Sequence, residues 1–316
     1  MKTKITGKLP SKYKGEIVMV VVTLFWGATF VIIKESLEDT SPMLFIATRF
    51  TIASILITPF LFKYKNHFNK NSVIAGLVLG VILFISFATQ TVGLKSTSAT
   101  KSSFFTSTAV VMVPFLQLFI SKRKPTAGSI SGVLLVTAGI TFFSSSGQSL
   151  NEFIGEIGGD FNIGDVLTLA CAFFFALYIV YLDGISKKYN FWVLTIMQIY
   201  VTAVLALLCA IIFSAGNIET AKFDLTLNLI IGILYTAIFA TFMSTILQTK
   251  YQKLIAPTKA GLIFTLEPVF AAIFAFFAIS EKISNLGFIG AVLIFAGLIT
   301  SEILDFLLNK NGSKKS

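Results

Sequence analysis

A carboxylate and a helix breaker stand side by side in the apolar stretch GLIFTLEPVFAAIF, residues 261–274, as Glu267 and Pro268. Proline has no N–H, so Pro268 releases the carbonyl of Phe264 four residues earlier. A carboxylate beside a freed carbonyl is a polar point that can hold a proton or meet a substrate ammonium. The competing reading is structural: Glu267 accepts hydrogen bonds from a neighbouring helix or pairs permanently with a buried cation. Arg49, inside RFTIASILITPF, is the cation at comparable depth. It can pair with Glu267, snorkel outward along its stem, or bind a substrate carboxylate bidentately.

The elements that must position these groups follow from composition. Of 316 residues, 55% are hydrophobic and 13% charged, against about 25% charged in soluble domains. The solvent matching such a chain is a bilayer, which about 20 apolar residues cross. Apolar runs of that length fall at roughly 17–33, 43–62, 72–92, 102–121, 127–145, 164–182, 191–213, 226–248, 260–279 and 286–306. The chain therefore reads as an all-α integral membrane protein with ten transmembrane helices. Glu267 lies eight residues past Lys259, about 12 Å along its helix, and Arg49 about 9 Å past Met43. Both depths place them inside the hydrocarbon layer, where an ionisable group must face protein or a wet cavity.

The net charge of +10 would suggest nucleic acid in a soluble protein; here it reports orientation. Joints on the side of the two termini carry 19 Lys and Arg, from the N-terminal tail through Lys63, Arg123, Lys187 and Lys250 to the C-terminal tail. The opposite joints carry 5, together with Glu35, Glu38, Asp39, Glu152, Glu156, Asp160, Glu219 and Asp224. Cytoplasmic joints are the basic ones, so both termini are expected in the cytoplasm and no nucleic-acid partner is called for. No small-residue cleavage site closes the first apolar run, which reads as a retained helix. Cys171 and Cys209 lie in apolar runs, and His67 is the sole histidine; neither a disulfide framework, a His-based metal site nor a Ser/His dyad is indicated.

The two halves of the chain match each other. ATKSSFFTSTAVV resembles PTKAGLIFTLEPV at an offset of 158, which sets Lys101 against Lys259 and also Gln90 against Gln248. Earlier in each half the offset is 149: Gly15 and Glu16 match Gly164 and Asp165, and Gly27 matches Ala176. Five spans per unit is odd, so the second unit enters the membrane from the opposite side. The expected organisation is a basic N-terminal tail (1–16), a five-helix repeat (17–145), a linker (146–163), an inverted five-helix repeat (164–306) and a basic C-terminal tail (307–316). Inverted repeats are characteristic of carriers that bind substrate near the midplane and rock to open one side at a time. The match fails where chemistry is concentrated: Ala109 and Val110 stand opposite Glu267 and Pro268, and the first unit instead carries Pro114.

LFWGATFVIIKESL, RFTIASILITPF, the paired SATKSSFFTSTAVVMVPFLQLFI and APTKAGLIFTLEPVFAAIFAFFAISEKIS, and the closing GFIGAVLIFAGLITSE resemble the EamA branch of the drug/metabolite transporter superfamily over nearly the whole chain. The resemblance implies ten helices, a central substrate cavity lined by both halves, a lipid environment and no ATPase. No GxxxxGK[ST] loop contradicts it. It implies no cofactor and specifies no oligomeric partner.

Secondary transport of a small organic metabolite is the expected function, as export across the plasma membrane. One deep acid and one deep base suit an amino acid or similar zwitterion, and the family also handles drug-like compounds. A proton can be the coupling ion if Glu267 is its site. The alternatives are a passive channel and a membrane-embedded enzyme or scramblase. Paired catalytic carboxylates, HExxH and a nucleophile with a histidine partner are absent from the sequence, so no catalytic residue is assigned. Trp26, Tyr178 and Tyr181 are candidate cavity-wall residues, with core packing as the alternative. Lys101 and Lys259 are candidate gate cations at opposite mouths or interfacial anchors. Gln90 and Gln248 can touch substrate or bond across helices. Gly27, Pro114 and Pro268 are candidate hinges. The charge asymmetry predicts that a cysteine placed at Ser149 is labelled by an impermeant thiol reagent in intact cells; labelling only after permeabilisation would refute the orientation.

Overall fold

The computed structural model describes residues 11–145, 149, 151–152, 154–155, 161–279 and 285–312. Most of the linker, the tail lysines Lys2, Lys4, Lys8, Lys314 and Lys315, and the joint holding Lys282 lie outside the described residues. The described residues form ten helical spans: Tyr13–Asp39, Pro42–His67, Lys70–Ser96, Ala99–Ser121, Ala127–Ser144, Ile163–Ser186, Phe191–Ala215, Leu227–Leu254, Pro257–Phe274 and Asn285–Leu308. They are numbered first to tenth below. The chain is an all-α integral membrane protein, and its outer surface is apolar: Phe62, Phe119 and Leu134 are each about 70% exposed, as lipid-facing side chains must be.

Local sequence explains where the spans begin. Asn69 and Asn162 open the third and sixth with reciprocal capping boxes to Ser72 and Asp165. Ser98, Thr126, Asn190 and Thr226 each accept a backbone N–H in the first turn of the fourth, fifth, seventh and eighth. Pro42 and Pro257 open the second and ninth, where a missing N–H costs nothing. The first span runs further than its apolar stretch of 17–33, as far as Asp39. Lys34 does not end it, because Nζ donates to the carbonyls of Leu94 at 2.7 Å and Thr97 at 3.0 Å, capping the end of the third span.

The two five-helix repeats are inverted, and their packing shows the two-fold relation directly. Gly132 and Gly139 of the fifth span match Gly290 and Gly297 of the tenth at offset 158. The contacts cross: a Cβ on Gly132 would lie 2.8 Å from the carbonyl oxygen of Gly297, and one on Gly139 2.9 Å from that of Gly290. Matched residues meeting crosswise on antiparallel helices require an axis in the membrane plane. The same holds for Gly164 against the third span and Gly15 against the eighth.

Four spans are interrupted. The first breaks at Ala28, between helices Ser11–Gly27 and Thr29–Asp39. The fourth breaks at Thr108, between Ala99–Ser107 and Ala109–Ser121. The ninth breaks at Thr265 and Leu266, between Pro257–Phe264 and Glu267–Ile279. Thr108 and Leu266 are equivalent by the 158 offset, so the two breaks are one feature used twice. Within the eighth span, Thr236–Met243 winds as a π-helix.

Because the fifth and tenth spans touch backbone to backbone, Gly139→Leu should lower thermal stability by about 1–3 kcal/mol or more through overpacking. At Gly184, where an added Cβ meets nothing within 4 Å, the same replacement should leave the melting temperature unchanged. Equal melting temperatures for the two variants would refute the close approach.

Candidate functional site

The interruptions converge. A cavity of about 670 Å³, counting space open to solvent, lies between the repeats. Trp26 and Thr29 flank the first break, Ser107 and Ala109 the second, Thr265 lies in the third with Glu267 next to it, and all six line the cavity. A broken helix exposes backbone groups that lipid cannot satisfy, so such breaks belong beside a polar cavity or packed protein.

Repeat-matched residues line the same space. Gln90 and Gln248 both line it, as do Trp26 and its 149-offset partner Phe175. Gln90 Nε2 donates weakly to Thr106 Oγ1 at 3.4 Å, and Gln248 Nε2 donates to Gln252 Oε1 at 2.8 Å. The charges break the symmetry. Glu267 lines the cavity with its counterpart Ala109, and Arg49 stands where the second repeat has Gln198.

Arg49 is 1% exposed. Its Nε donates to Thr241 Oγ1 at 2.5 Å, and its guanidinium carbon lies 4.5 Å from the Phe87 ring centroid and 5.5 Å from that of Phe50. Glu267 is half-buried as the first residue of its half-helix, where the helix dipole favours a negative charge. Arg49 and Glu267 line one cavity without forming an ion pair with each other.

Trp26 is held in the wall by its indole N–H, which donates to the carbonyl of Ala240 at 3.1 Å, and by Phe264, whose ring centroid lies 5.1 Å away. Tyr178 and Tyr181 do not line the cavity. Tyr178 is fully buried; its hydroxyl donates to Gln198 Oε1 at 2.7 Å, and Gln198 Nε2 donates to Thr249 Oγ1 at 2.9 Å, tying the sixth, seventh and eighth spans together. Tyr181 is half-buried against the apolar cluster that contains Tyr178, Leu182 and Leu194. Gly27 sits at the first break with no room for a side chain: an added Cβ would lie 2.7 Å from Cβ of Phe270, two residues beyond Pro268. Pro114 is buried six residues past the break in the fourth span.

Each end of the site carries an ion pair between repeats. At the face away from the termini, Lys101 Nζ lies 3.4 Å from Asp165 Oδ2, with both side chains buried, and Thr97 Oγ1 donates to Asp165 Oδ1 at 2.5 Å. At the face of the termini, Lys259 Nζ lies 2.6 Å from Glu16 Oε1 and also pairs with Glu302. The two pairs are repeat equivalents. In each, the lysine of one unit's fourth helix meets the carboxylate of the other unit's first helix. Lys101 is thus a buried cross-repeat partner, not an exposed group at the interface. Phe87 and Phe175 also line the cavity, and Thr241 stands behind it as the hydrogen-bond partner of Arg49; their residue types gave no signal. Ser107 was findable, since the 158 offset matches it to Thr265.

Ten spans in two inverted repeats around a shared cavity, with an ion pair at either end, define a multi-pass membrane transporter. The chain belongs to the EamA-like transporter family, within the drug/metabolite transporter superfamily; the family pattern matches residues 13–145 and 162–301. It is similar to an uncharacterized transporter of Archaeoglobus fulgidus, 33% identical over 89% of this chain and 83% of that protein. The uncharacterized transporter YyaM of Bacillus subtilis is 26% identical over 90% of this chain and 92% of its own length. A solved crystal structure superposes with a TM-score of 0.74 at 16% identity, covering 94% of this chain and 99% of that one, a likeness of fold.

The absence of an ion pair between Arg49 and Glu267 predicts little energetic coupling. In a double-mutant cycle on unfolding, Arg49→Gln and Glu267→Gln should add to within about 0.5 kcal/mol, whereas Lys101→Met and Asp165→Asn should couple by about 1 kcal/mol or more. Coupling above about 1 kcal/mol between positions 49 and 267 would restore the view of Glu267 as a brace for Arg49.

Proposed function

We propose that the protein is a secondary transporter that exports a small organic zwitterion, such as an amino acid, across the plasma membrane by alternating access, with both termini in the cytoplasm. The observation that carries this reading is the dipolar cavity. A single cation from the first repeat and a single carboxylate from the second line one space without pairing. Desolvating an unpaired charge is costly, and a ligand that brings a carboxylate to Arg49 and an ammonium to Glu267 offsets that cost. The apolar walls supplied by Phe87, Phe175, Trp26 and Phe264 accept an apolar or aromatic body, which also leaves room for drug-like cargo.

The units 17–145, with Glu16 on the same first helix, and 164–306, joined by the 146–163 linker, rock against each other. Opening to the outside parts Lys101 from Asp165; opening to the cytoplasm parts Lys259 from Glu16. Each separated pair regains water as its mouth opens, so neither state strands a dry charge. A carboxylate in a wet cavity with no cation bonded to it can alternate between ionised and protonated forms, which makes Glu267 the candidate for proton coupling.

The test uses a Cys171→Ala/Cys209→Ala background carrying Thr106→Cys in the cavity. Asp165→Asn should speed labelling of that thiol from outside several-fold, and Glu16→Gln should slow it. Equal rates in all three proteins would refute the gates. In proteoliposomes the cargo should show saturable counterflow; linear, unsaturable flux would mark a channel. Glu267→Gln should retain counterflow and lose accumulation driven by a pH gradient, and unchanged pH-driven accumulation would remove Glu267 from coupling.

A further inference from the structure

We propose that the π-helical segment of the eighth span positions the anion seat of the cavity: Thr241 holds the Arg49 guanidinium so that its two terminal nitrogens present a fork to a planar carboxylate. The inference rests on the transport reading and deepens it. It makes Thr241 a positioning residue that determines specificity.

Two consecutive residues of the π-segment hold two cavity residues of the opposite repeat. The carbonyl of Ala240 accepts the Trp26 indole N–H at 3.1 Å, and the hydroxyl of Thr241 accepts Arg49 Nε–H at 2.5 Å. A π-helix has a wider turn than an α-helix and re-aims side chains locally. The neighbouring hydroxyls serve the backbone: Thr236 Oγ1, in the segment, donates to the Gly232 carbonyl at 2.7 Å, and Ser244 Oγ, just past its end, donates to the Phe239 carbonyl at 2.8 Å. Thr241 is turned to the guanidinium. At the 158 offset the third span carries Leu83 opposite Thr241, within an unbroken α-helix, so the device exists on one side only.

With Nε occupied, the remaining N–H groups of Arg49 lie on the two terminal nitrogens, in one plane. Neither nitrogen has a hydrogen bond to the described residues. The face of Phe87, 4.5 Å away, restricts rotation of that plane. A fixed planar fork with two parallel N–H donors matches a carboxylate. One cation among aromatic walls suits a monoanion with an apolar body better than a phosphate dianion.

The sequence supplies a reporter. Trp26 and Trp192 are the two tryptophans. Trp192 stacks on Phe60 and Tyr64, away from the cavity lining, so Trp192→Phe leaves Trp26 as sole fluorophore in the wall. The purified full-length variant in lipid nanodiscs is titrated with phenylacetate and, separately, phenethylamine. Phenylacetate should change the emission saturably. Thr241→Val should weaken phenylacetate about tenfold, the worth of one hydrogen bond to a charged group, while Thr241→Ser stays within about twofold of the parent. Phenethylamine, which lacks a carboxylate, should bind Thr241→Val as it binds the parent. Arg49→Lys keeps the charge but removes the fork, and should weaken phenylacetate to a similar degree.

Unchanged phenylacetate affinity in Thr241→Val overturns the positioning role, and parallel loss of both probes reduces it to a structural one. Unchanged affinity in Arg49→Lys, or no saturable phenylacetate signal in the parent, overturns the seat even if Thr241→Val does not fold. The thiol-accessibility measurement of the gates needs no ligand, so failure of the seat and failure of the transport reading remain distinguishable.

Discussion

Inside a bilayer no water is available to satisfy a backbone group or a charge, and every irregularity of this protein is placed under that constraint. The breaks at Ala28, Thr108 and Leu266 all abut the central cavity, while the π-segment turns Thr241 to the arginine in its wall. Elsewhere the spans are continuous helices with apolar outer faces. The cavity and the interruptions therefore imply each other: the breaks need a polar surround, and the polar surround is built from what the breaks release.

The two-fold relation between the repeats supplies the frame. Crossed glycine contacts between the fifth and tenth spans bring backbones together where lipid gives apolar helices no hydrophobic reason to associate, so close packing must do that work. Crossed ion pairs, Lys101 with Asp165 and Lys259 with Glu16, repeat the relation at the two faces. In carriers built from inverted repeats, this symmetry relates the two ways of opening.

Onto the symmetric frame the sequence grafts an asymmetric site. The walls and amides are matched, Trp26 with Phe175 and Gln90 with Gln248, but the cation belongs to one repeat and the carboxylate to the other. The cavity thus has one charged residue from each half, Arg49 and Glu267, among matched walls. Glu267 beside Pro268 begins a half-helix at the cavity wall, and among the described residues it forms no ion pair.

The sequence by itself determined the ten spans, because about 20 apolar residues between polar joints have no other stable solvent, and it determined the repeat, because matched glycines, lysines and glutamines keep constant offsets. It marked Glu267 and Arg49, since ionisable groups are rare at membrane depth. It did not say which way each helix turns. Both lipid and protein interior are apolar, so these helices carry no polar stripe to fix their rotation. Trp26 and Tyr178 looked alike as aromatics, and only packing put Trp26 in the wall and Tyr178 in the core. Lys101 and Asp165 were each visible, but their pairing joins different repeats across 64 positions of chain, a distance that local pattern does not span. Thr241 was one more threonine in an apolar run until the π-turn of its helix aimed it at Arg49. Those decisions belong to tertiary structure, because they depend on which surfaces meet rather than on what any single segment prefers.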